Sequence, residues 1–300
     1  MPQAAIEVDG LTKRYGAAVA VDRVTFSVPR GALYGFLGPN GSGKTTTLGM
    51  LTGLIPADAG VARVAGAEAG VDRPEALARV GALVEEPAFY PHLDAAGNLG
   101  VVARLTRTPR EAIPAAIARV GLQDAGRKPF RAYSQGMRRR LGLAAAILPD
   151  PEVLILDEPA NGLDPAGQME MREIVQGFAR AGKTVLLSSH LLREVQAVCS
   201  HVAVLHQGRL VADGPLDALL GAAEVAVEVD DVDRALLALA GLDGVRGVRA
   251  DGRALRVQAD PALAATINRR LVERGVAVSA LSRSRLDLEA KFREWTEGSA

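Results

Sequence analysis

Cysteine, aromatic residues and excess positive charge are all scarce in this sequence, and each shortage argues against a class of protein. Its 300 residues include one cysteine, Cys199, which excludes an internal disulfide, fits a reducing compartment and disfavours a thiol redox or metal centre. Aromatic residues make up 4% of the chain, and 35 Lys and Arg residues balance 35 Asp and Glu residues. Neither stacking side chains nor excess positive charge therefore points to nucleic acid as a partner. The strongest local charge run, the three arginines at 138–140, is predicted to be a solvated helix face.

Long apolar runs are also missing. The longest candidate, residues 141–148, stops at Pro149 and falls short of the roughly 18 residues that a membrane-spanning helix needs. Residues 1–9 have no basic stretch followed by an apolar core, so no signal peptide is predicted. We expect a cytoplasmic chain with one large domain and one smaller domain.

Residues 38–45 fit the phosphate-loop pattern of Gly, four residues, then Gly-Lys-Ser/Thr. An apolar segment precedes the loop and a helix-like segment follows it, which is the context that the pattern requires. Glycines let backbone N–H groups turn toward phosphate oxygens, the lysine adds charge, and the threonine hydroxyl suits Mg²⁺. The residues predicted to bind ATP here are Gly38, Pro39, Asn40, Gly41, Ser42, Gly43, Lys44, Thr45 and Thr46.

A pair of carboxylates supports the same chemistry. The apolar residues 153–156 end in Asp157 and Glu158, as expected of a buried parallel strand that delivers its last side chains to the carboxyl edge of a sheet. We expect Asp157 to coordinate Mg²⁺ and Glu158 to polarise the water that attacks the terminal phosphate of ATP.

Strands that alternate with helices predict an α/β fold with a mostly parallel sheet. Residues 6–8 and 24–28 alternate apolar and polar side chains, which predicts an antiparallel β subdomain with a polar turn at 13–16. Residues 94–148 are predicted to be a helical subdomain, and the ATP-binding domain to span 1–221. From 222 to 300, the order strand, helix, two strands, helix, strand predicts a small α+β domain with a closing helix at 286–295.

Over about residues 5–220 the chain resembles the ATP-binding cassette (ABC) ATPases. Residues 133–137, just ahead of the 153–158 segment, occupy the place of the family's signature, Leu-Ser-Gly-Gly-Gln. Ser134 and Gly136 are retained, whereas Gln135 and Met137 replace a Gly and a Gln. The resemblance implies that these four residues clamp the γ-phosphate of ATP bound to another subunit. From its residue type alone, Ser134 is equally an ordinary helix N-cap.

The resemblance assigns several further residues. It implies that Asp164 lies in a dimer-contacting loop, that His190 contacts the γ-phosphate and that Tyr15 stacks on adenine. Glu85 stands where the family usually has a glutamine that touches Mg²⁺ and senses the transporter, so the implied metal ligands are Thr45, Glu85 and Asp157. The other histidines have no such support and are predicted to be surface or packing residues: His92, His201 and His206.

Residues 85–91 and 286–292 are similar to segments of the ATPase subunits of ABC-2-type drug and antibiotic exporters, including bacitracin-resistance transporters. This resemblance implies an ATPase that uses ATP and Mg²⁺ and works as a homodimer, or as paired subunits, on a separate multi-helix permease. The chain would then be peripheral on the inner face of the cell membrane. Two alternatives stay open: a soluble ABC ATPase acting on ribosomes or nucleic acid, and an importer ATPase.

Overall fold

The computed structural model describes residues 4–70, 77–85, 87–125, 127–220, 224–284 and 288–297. The chain divides into two compact units, Met1–Gly214 and Pro215–Ala300. The division thus falls after residue 214, whereas the sequence pattern places it after residue 221. None of the helices in the described ranges combines the length and the apolar composition needed to cross a bilayer.

A six-stranded sheet forms the centre of the first unit. In spatial order its strands are Arg209–Pro215 (β10), His201–His206 (β9), Leu33–Leu37 (β3), Thr184–Ser189 (β8), Val153–Leu156 (β7) and Val80–Leu83 (β6). Strands β6, β7, β8, β3 and β9 run parallel. Strands β3, β7 and β8 are buried along their whole length, which explains their apolar character.

A second sheet is antiparallel. Its spatial order is β2-β1-β4-β5, with strands Ala4–Tyr15 (β1), Ala18–Pro29 (β2), Ala59–Val64 (β4) and Ala67–Glu68 (β5). The turn predicted at 13–16 is wrong in position, because β1 continues through Tyr15. Lys13 can stay in the strand and be buried because its ammonium group pairs with Asp58 at 2.9 Å.

The first unit has its core between these two sheets, around the helix Lys44–Leu51 (α1). Phe36 of β3, Leu48 and Leu51 of α1 are completely buried, and the Phe26 and Phe36 ring centroids lie 5.3 Å apart. Apolar burial of this extent is the main favourable term in folding. It fixes the direction in which α1 leaves the phosphate loop.

The remaining helices of the first unit include the predicted helical region. Those with bounds in the described ranges are Ala95–Leu105 (α2), Ala112–Arg119 (α3), Gln135–Ile147 (α4), Pro165–Arg180 (α5) and Leu192–Val198 (α6). The arginines at 138–140 are half-buried, so the prediction of a solvated face is wrong. Their guanidinium groups contact, in order, the Phe130 ring at 5.1 Å, the Glu85 carbonyl at 3.5 Å and the Glu170 carboxylate.

The second unit contains the predicted strand and helix order. Its strands are Glu224–Val229 (β11), Val245–Asp251 (β12), Ala254–Ala259 (β13) and Val278–Ser284 (β14), and its helices are Leu216–Leu220 (α7), Val232–Leu239 (α8), Ala264–Glu273 (α9) and Leu288–Glu297 (α10). The strands pair antiparallel in the order β12-β13-β11-β14. A separate core includes Val225, Val257 and Leu271. The predicted closing helix begins two residues earlier than α10, at positions 286 and 287 that lie outside the described residues.

Candidate functional site

The phosphate loop joins the end of β3 to the start of α1. Gly43 precedes the helix with a φ of 102°, a left-handed conformation that favours glycine, and an added Cβ would overlap the Ala20 carbonyl oxygen. Ser42 is buried, and its Oγ has no hydrogen-bond partner among the residues that the structure describes. Buried polar atoms are usually paired, so an unpartnered hydroxyl in a glycine-rich loop fits a ligand with phosphate oxygens.

Lys44 is held at the mouth of this loop. Its side chain is 6% exposed, and its Nζ donates to the carbonyl oxygens of Gly38 at 2.7 Å and Pro39 at 3.2 Å. Burial lowers the pKa of Lys44, whereas the nearby charges of Glu158 and Asp157 act to raise it. The ammonium group lies 3.9 Å from the Glu158 carboxylate, so the positive charge stands between the loop and the acidic pair.

The Asp157 carboxylate is bonded on both of its oxygens. The Thr45 hydroxyl donates to Oδ2 at 2.7 Å, and the buried Ser188 hydroxyl donates to Oδ1. Ser188 Oγ also accepts the Glu158 N–H at 2.9 Å. The sequence patterns gave no role to Ser188. The available signal was a serine that follows the apolar residues 185–187 near the end of β8.

Glu158 follows Asp157 with a φ of 46°, in the left-handed region. This conformation costs a non-glycine residue on the order of 1–3 kcal/mol and often occurs at functional sites. The Glu158 carboxylate lies 2.7 Å from His190 Nδ1, and the Glu158 carbonyl accepts the Asn161 N–H at 3.0 Å. We call Thr45, Asp157, Glu158, Ser188 and His190 the carboxylate cluster.

An open cleft brings much of the predicted phosphate loop together with Glu158 and His190. It is lined by Ala20, Asn40, Gly41, Gly43, Lys44, Thr45, Thr46, Glu158, Asn161 and His190. Two residues predicted to contact adenine and the metal do not line it: Tyr15 is 53% exposed, with the Lys13 ammonium 5.5 Å from its ring centroid, and Glu85 is exposed with a φ of 71°. Within the described ranges, neither of their side chains contacts the cleft. Glu86, in the segment compared with exporters, lies outside the described residues.

The signature end, residues 134–137, is at the start of α4. Ser134 caps this helix, and its Oγ accepts the Met137 N–H at 3.3 Å. Asp164 caps α5 in the same way and accepts the Gly167 N–H at 3.1 Å. These groups line a second concavity that contains Ser134, Gln135, Gly136, Met137, Gly162, Leu163 and Asp164. None of the four signature residues lines the cleft of the phosphate loop.

Comparison with known proteins gives a consistent result. The family described as ABC transporter matches residues 21–161. A bacitracin transport ATP-binding protein of Bacillus licheniformis is 37% identical over 293 residues, which cover 96% of this chain and 95% of that protein. A lantibiotic transport ATP-binding protein of Streptococcus pyogenes is 35% identical and covers 71% of this chain and 91% of its own length.

Solved structures agree in fold. An ATP-binding subunit of an ABC transporter has a TM-score of 0.65 and 27% identity, covering 72% of this chain and 91% of that chain. A nucleotide-free ATP-binding cassette has a TM-score of 0.64 and 21% identity, covering 72% and 93%. The predicted α/β fold class and the resemblance to ABC ATPases are thereby confirmed. Because the bacitracin-transport relative is covered almost from end to end, the chain belongs to the ABC transporter family as one of its ATP-binding, ATP-hydrolysing subunits.

Proposed function

We propose that the chain powers an ABC-2-type exporter, which moves a drug, antibiotic or lipid-like compound through a separate multi-helix permease. The observation that carries this proposal is the extent of the match to the bacitracin transport ATP-binding protein. That match covers 96% of this chain, whereas the cassette structures cover 72%. It therefore continues through most of the second unit, beyond the part that ABC ATPases of different transporters share.

The carboxylate cluster supports binding of Mg²⁺ together with ATP. The Thr45 hydroxyl and the Asp157 carboxylate oxygen, 2.7 Å apart, are hard oxygen donors of the kind that Mg²⁺ prefers beside phosphate oxygens. We assign these two residues to the metal and Glu85 as a third ligand in the assembled transporter. When bound, the ion neutralises charge on the β- and γ-phosphate oxygens.

The protein's own groups supply the rest of the chemistry. Phosphoryl transfer depends mostly on positioning and charge stabilisation. In our proposal, Lys44 supplies positive charge to the outer phosphates, and Glu158 accepts the proton of the attacking water. His190, bonded to Glu158 through Nδ1 at 2.7 Å, orients that carboxylate and contacts the γ-phosphate. Tyr15 stacks on the adenine ring.

The separation of the signature end from the cleft supports a dimer. Residues 134–137 do not line the cleft of their own chain, which supports the implication of the resemblance that they contact the nucleotide of another subunit. We propose that two copies, or two paired ATPase subunits, enclose two ATP molecules, with Asp164 in the contacting loop. The chain would be cytoplasmic and peripheral on the inner face of the membrane through the permease, with no nucleic-acid partner.

The test is affinity purification of the tagged chain from its native cells in mild detergent, followed by mass spectrometry. We expect a stoichiometric multi-helix membrane protein. Inverted vesicles that contain this protein should accumulate a bacitracin-class peptide with the wild-type chain and fail to do so with Glu158→Gln. Recovery of ribosomal proteins or nucleic acid with no membrane protein would refute export and leave the ATPase assignment in place.

A further inference from the structure

The substituted signature residue Gln135 packs against the loop that follows Glu158. Gly162, in this loop, has a φ of 75°. A Cβ added to Gly162 would lie 2.9 Å from Cδ and 3.1 Å from Oε1 of Gln135, and would overlap its Nε2. A side chain at 162 would therefore require the Gln135 amide group to leave the position that it occupies beside this loop.

A second interaction joins the same region. About one helical turn further along α4, the Arg140 guanidinium pairs with Glu170 of α5. At Gly136 the space is close to filled as well, since a Cβ built on this glycine would lie 3.4 Å from Leu163 Cδ2. The packing of Gln135 and the Arg140–Glu170 pair therefore tie the start of α4 to the loop and the helix that follow the carboxylate pair.

The loop continues this connection to Glu158. The Leu163 N–H donates to the Ala160 carbonyl at 3.3 Å, and the Asn161 N–H donates to the Glu158 carbonyl at 3.0 Å. Glu158 itself has a left-handed φ of 46°, so its backbone depends on these turn contacts to hold an unfavourable conformation. A displacement at Gly162 is therefore passed to Glu158 through two short turns.

We propose that Gln135 is a positioning residue that couples the signature end to Glu158 of the same chain. The proposal rests on the proposed dimer, in which the signature end meets the ATP of the partner subunit. Movement of α4 toward that ATP presses the Gln135 amide against Gly162. This contact fixes the position of the loop that follows Glu158, and with it the position of the Glu158 backbone. Each ATP site then depends on occupancy of the other site. The glycine of the family signature at this position has no side chain with which to make this contact.

A double-mutant cycle on the full chain tests the coupling. Hydrolysis is measured against MgATP concentration for wild type, Gln135→Ala, Gly162→Ala and the double variant. Residues that carry coupling change it by about 2- to 30-fold, so we expect Gln135→Ala to lower kcat by about threefold to tenfold, with KM within twofold and a Hill coefficient closer to 1. The loss of kcat caused by Gly162→Ala should be at least about threefold smaller in the Gln135→Ala background, because the added Cβ no longer overlaps the Gln135 amide.

Matched controls separate the contact from general effects. Gly182 has a φ of 81°, and no atom in the described part of the chain beyond its own neighbours lies within 4 Å of an added Cβ, so Gly182→Ala measures the cost of the left-handed conformation alone. Gln123 is an exposed glutamine outside the site, and Gln123→Ala should leave kcat and the Hill coefficient unchanged. Gln135→Met keeps the side-chain length and should restore most of the wild-type cooperativity.

The outcomes distinguish this inference from the proposed function. If wild type hydrolyses ATP and Gly162→Ala costs the same in both backgrounds, the coupling is refuted. If Glu158→Gln remains fully active, the assigned function of the site is refuted instead. Backbone amide exchange at residues 160–164 without nucleotide then still tests the contact: Gln135→Ala should accelerate exchange there and Gln123→Ala should not. Equal exchange in both variants would overturn the inference whatever the catalytic result.

Discussion

The carboxylate cluster and the signature end differ in how far contacts within one chain hold their side chains in place. In the cluster, a chain of hydrogen bonds connects Thr45, Asp157, Ser188, Glu158 and His190, and Asp157 and Ser188 are buried. At the signature end, Ser134 is exposed and forms a capping bond of 3.3 Å. The cluster is thus organised before any partner arrives. Substitutions there should change chemistry or stability in a single chain, whereas those at Ser134 should act mainly on assembly.

The largest expected effect is that of Glu158→Gln. A positioned general base contributes about 10²- to 10⁴-fold to a rate, so kcat for phosphate release should fall at least a hundredfold. ATP affinity should stay within about threefold, because Lys44 and the loop are unchanged, and ATP should produce a stable dimer by light scattering. Glu173→Gln, at an exposed position of α5, is the control. If Glu158→Gln keeps a third of the wild-type rate, Glu158 is not the general base.

Lys44→Ala should come next in size. The ammonium group is buried beside the loop carbonyls, so its loss removes the positive charge that the outer phosphates require. Charge-assisted hydrogen bonds contribute about 1.5–3 kcal/mol, so ATP affinity should fall by at least about tenfold in calorimetric titration. Lys128→Ala removes an exposed lysine near the signature end and should leave the affinity of the isolated chain unchanged. If Lys44→Ala and Lys128→Ala lose equal ATP affinity, the isolated chain does not bind ATP at the phosphate loop alone, and the cluster and the signature end do not differ in this respect.

Local sequence indicates which residues meet where neighbouring elements build the cluster, while their roles stay predictions. The phosphate loop lies between a strand and a helix that follow one another, and the carboxylate pair ends a strand. Ser188 could not be assigned in this way, because its place beside Asp157 follows from the pairing of Leu156 with Leu187 on neighbouring strands. The same limit explains the misplaced turn at Lys13, which the distant Asp58 keeps in its strand. Contacts between distant residues also explain why the arginines at 138–140 are not solvated.

Ser188→Ala should have an intermediate effect inside the cluster. It leaves one oxygen of Asp157 and the Glu158 N–H without their partner in a buried place. An unsatisfied buried polar group costs about 1–3 kcal/mol, so the unfolding free energy in urea should fall by that amount, with a severalfold loss of kcat. Ser279→Ala is the control, since its exposed hydroxyl donates to the Glu228 carbonyl on the surface. Unchanged stability in Ser188→Ala would mean that another group replaces this hydroxyl.

The smallest effects on the isolated chain should be those at Ser134. Ser134→Ala removes an exposed N-cap and should lower the unfolding free energy by about 0.5–1 kcal/mol.

Asn and Asp both cap helices as well as Ser, so Ser134→Asn and Ser134→Asp should keep wild-type stability. They differ in charge, and only Ser134→Asp places a carboxylate where the proposed dimer brings a phosphate of the partner's ATP. ATP-dependent dimerisation in the Glu158→Gln background should therefore be weaker for Ser134→Asp than for Ser134→Asn, and the difference should shrink at high salt because screening reduces repulsion between exposed charges. If the two variants dimerise equally at low salt, the signature end does not face a phosphate, and Ser134 serves only as the cap of α4.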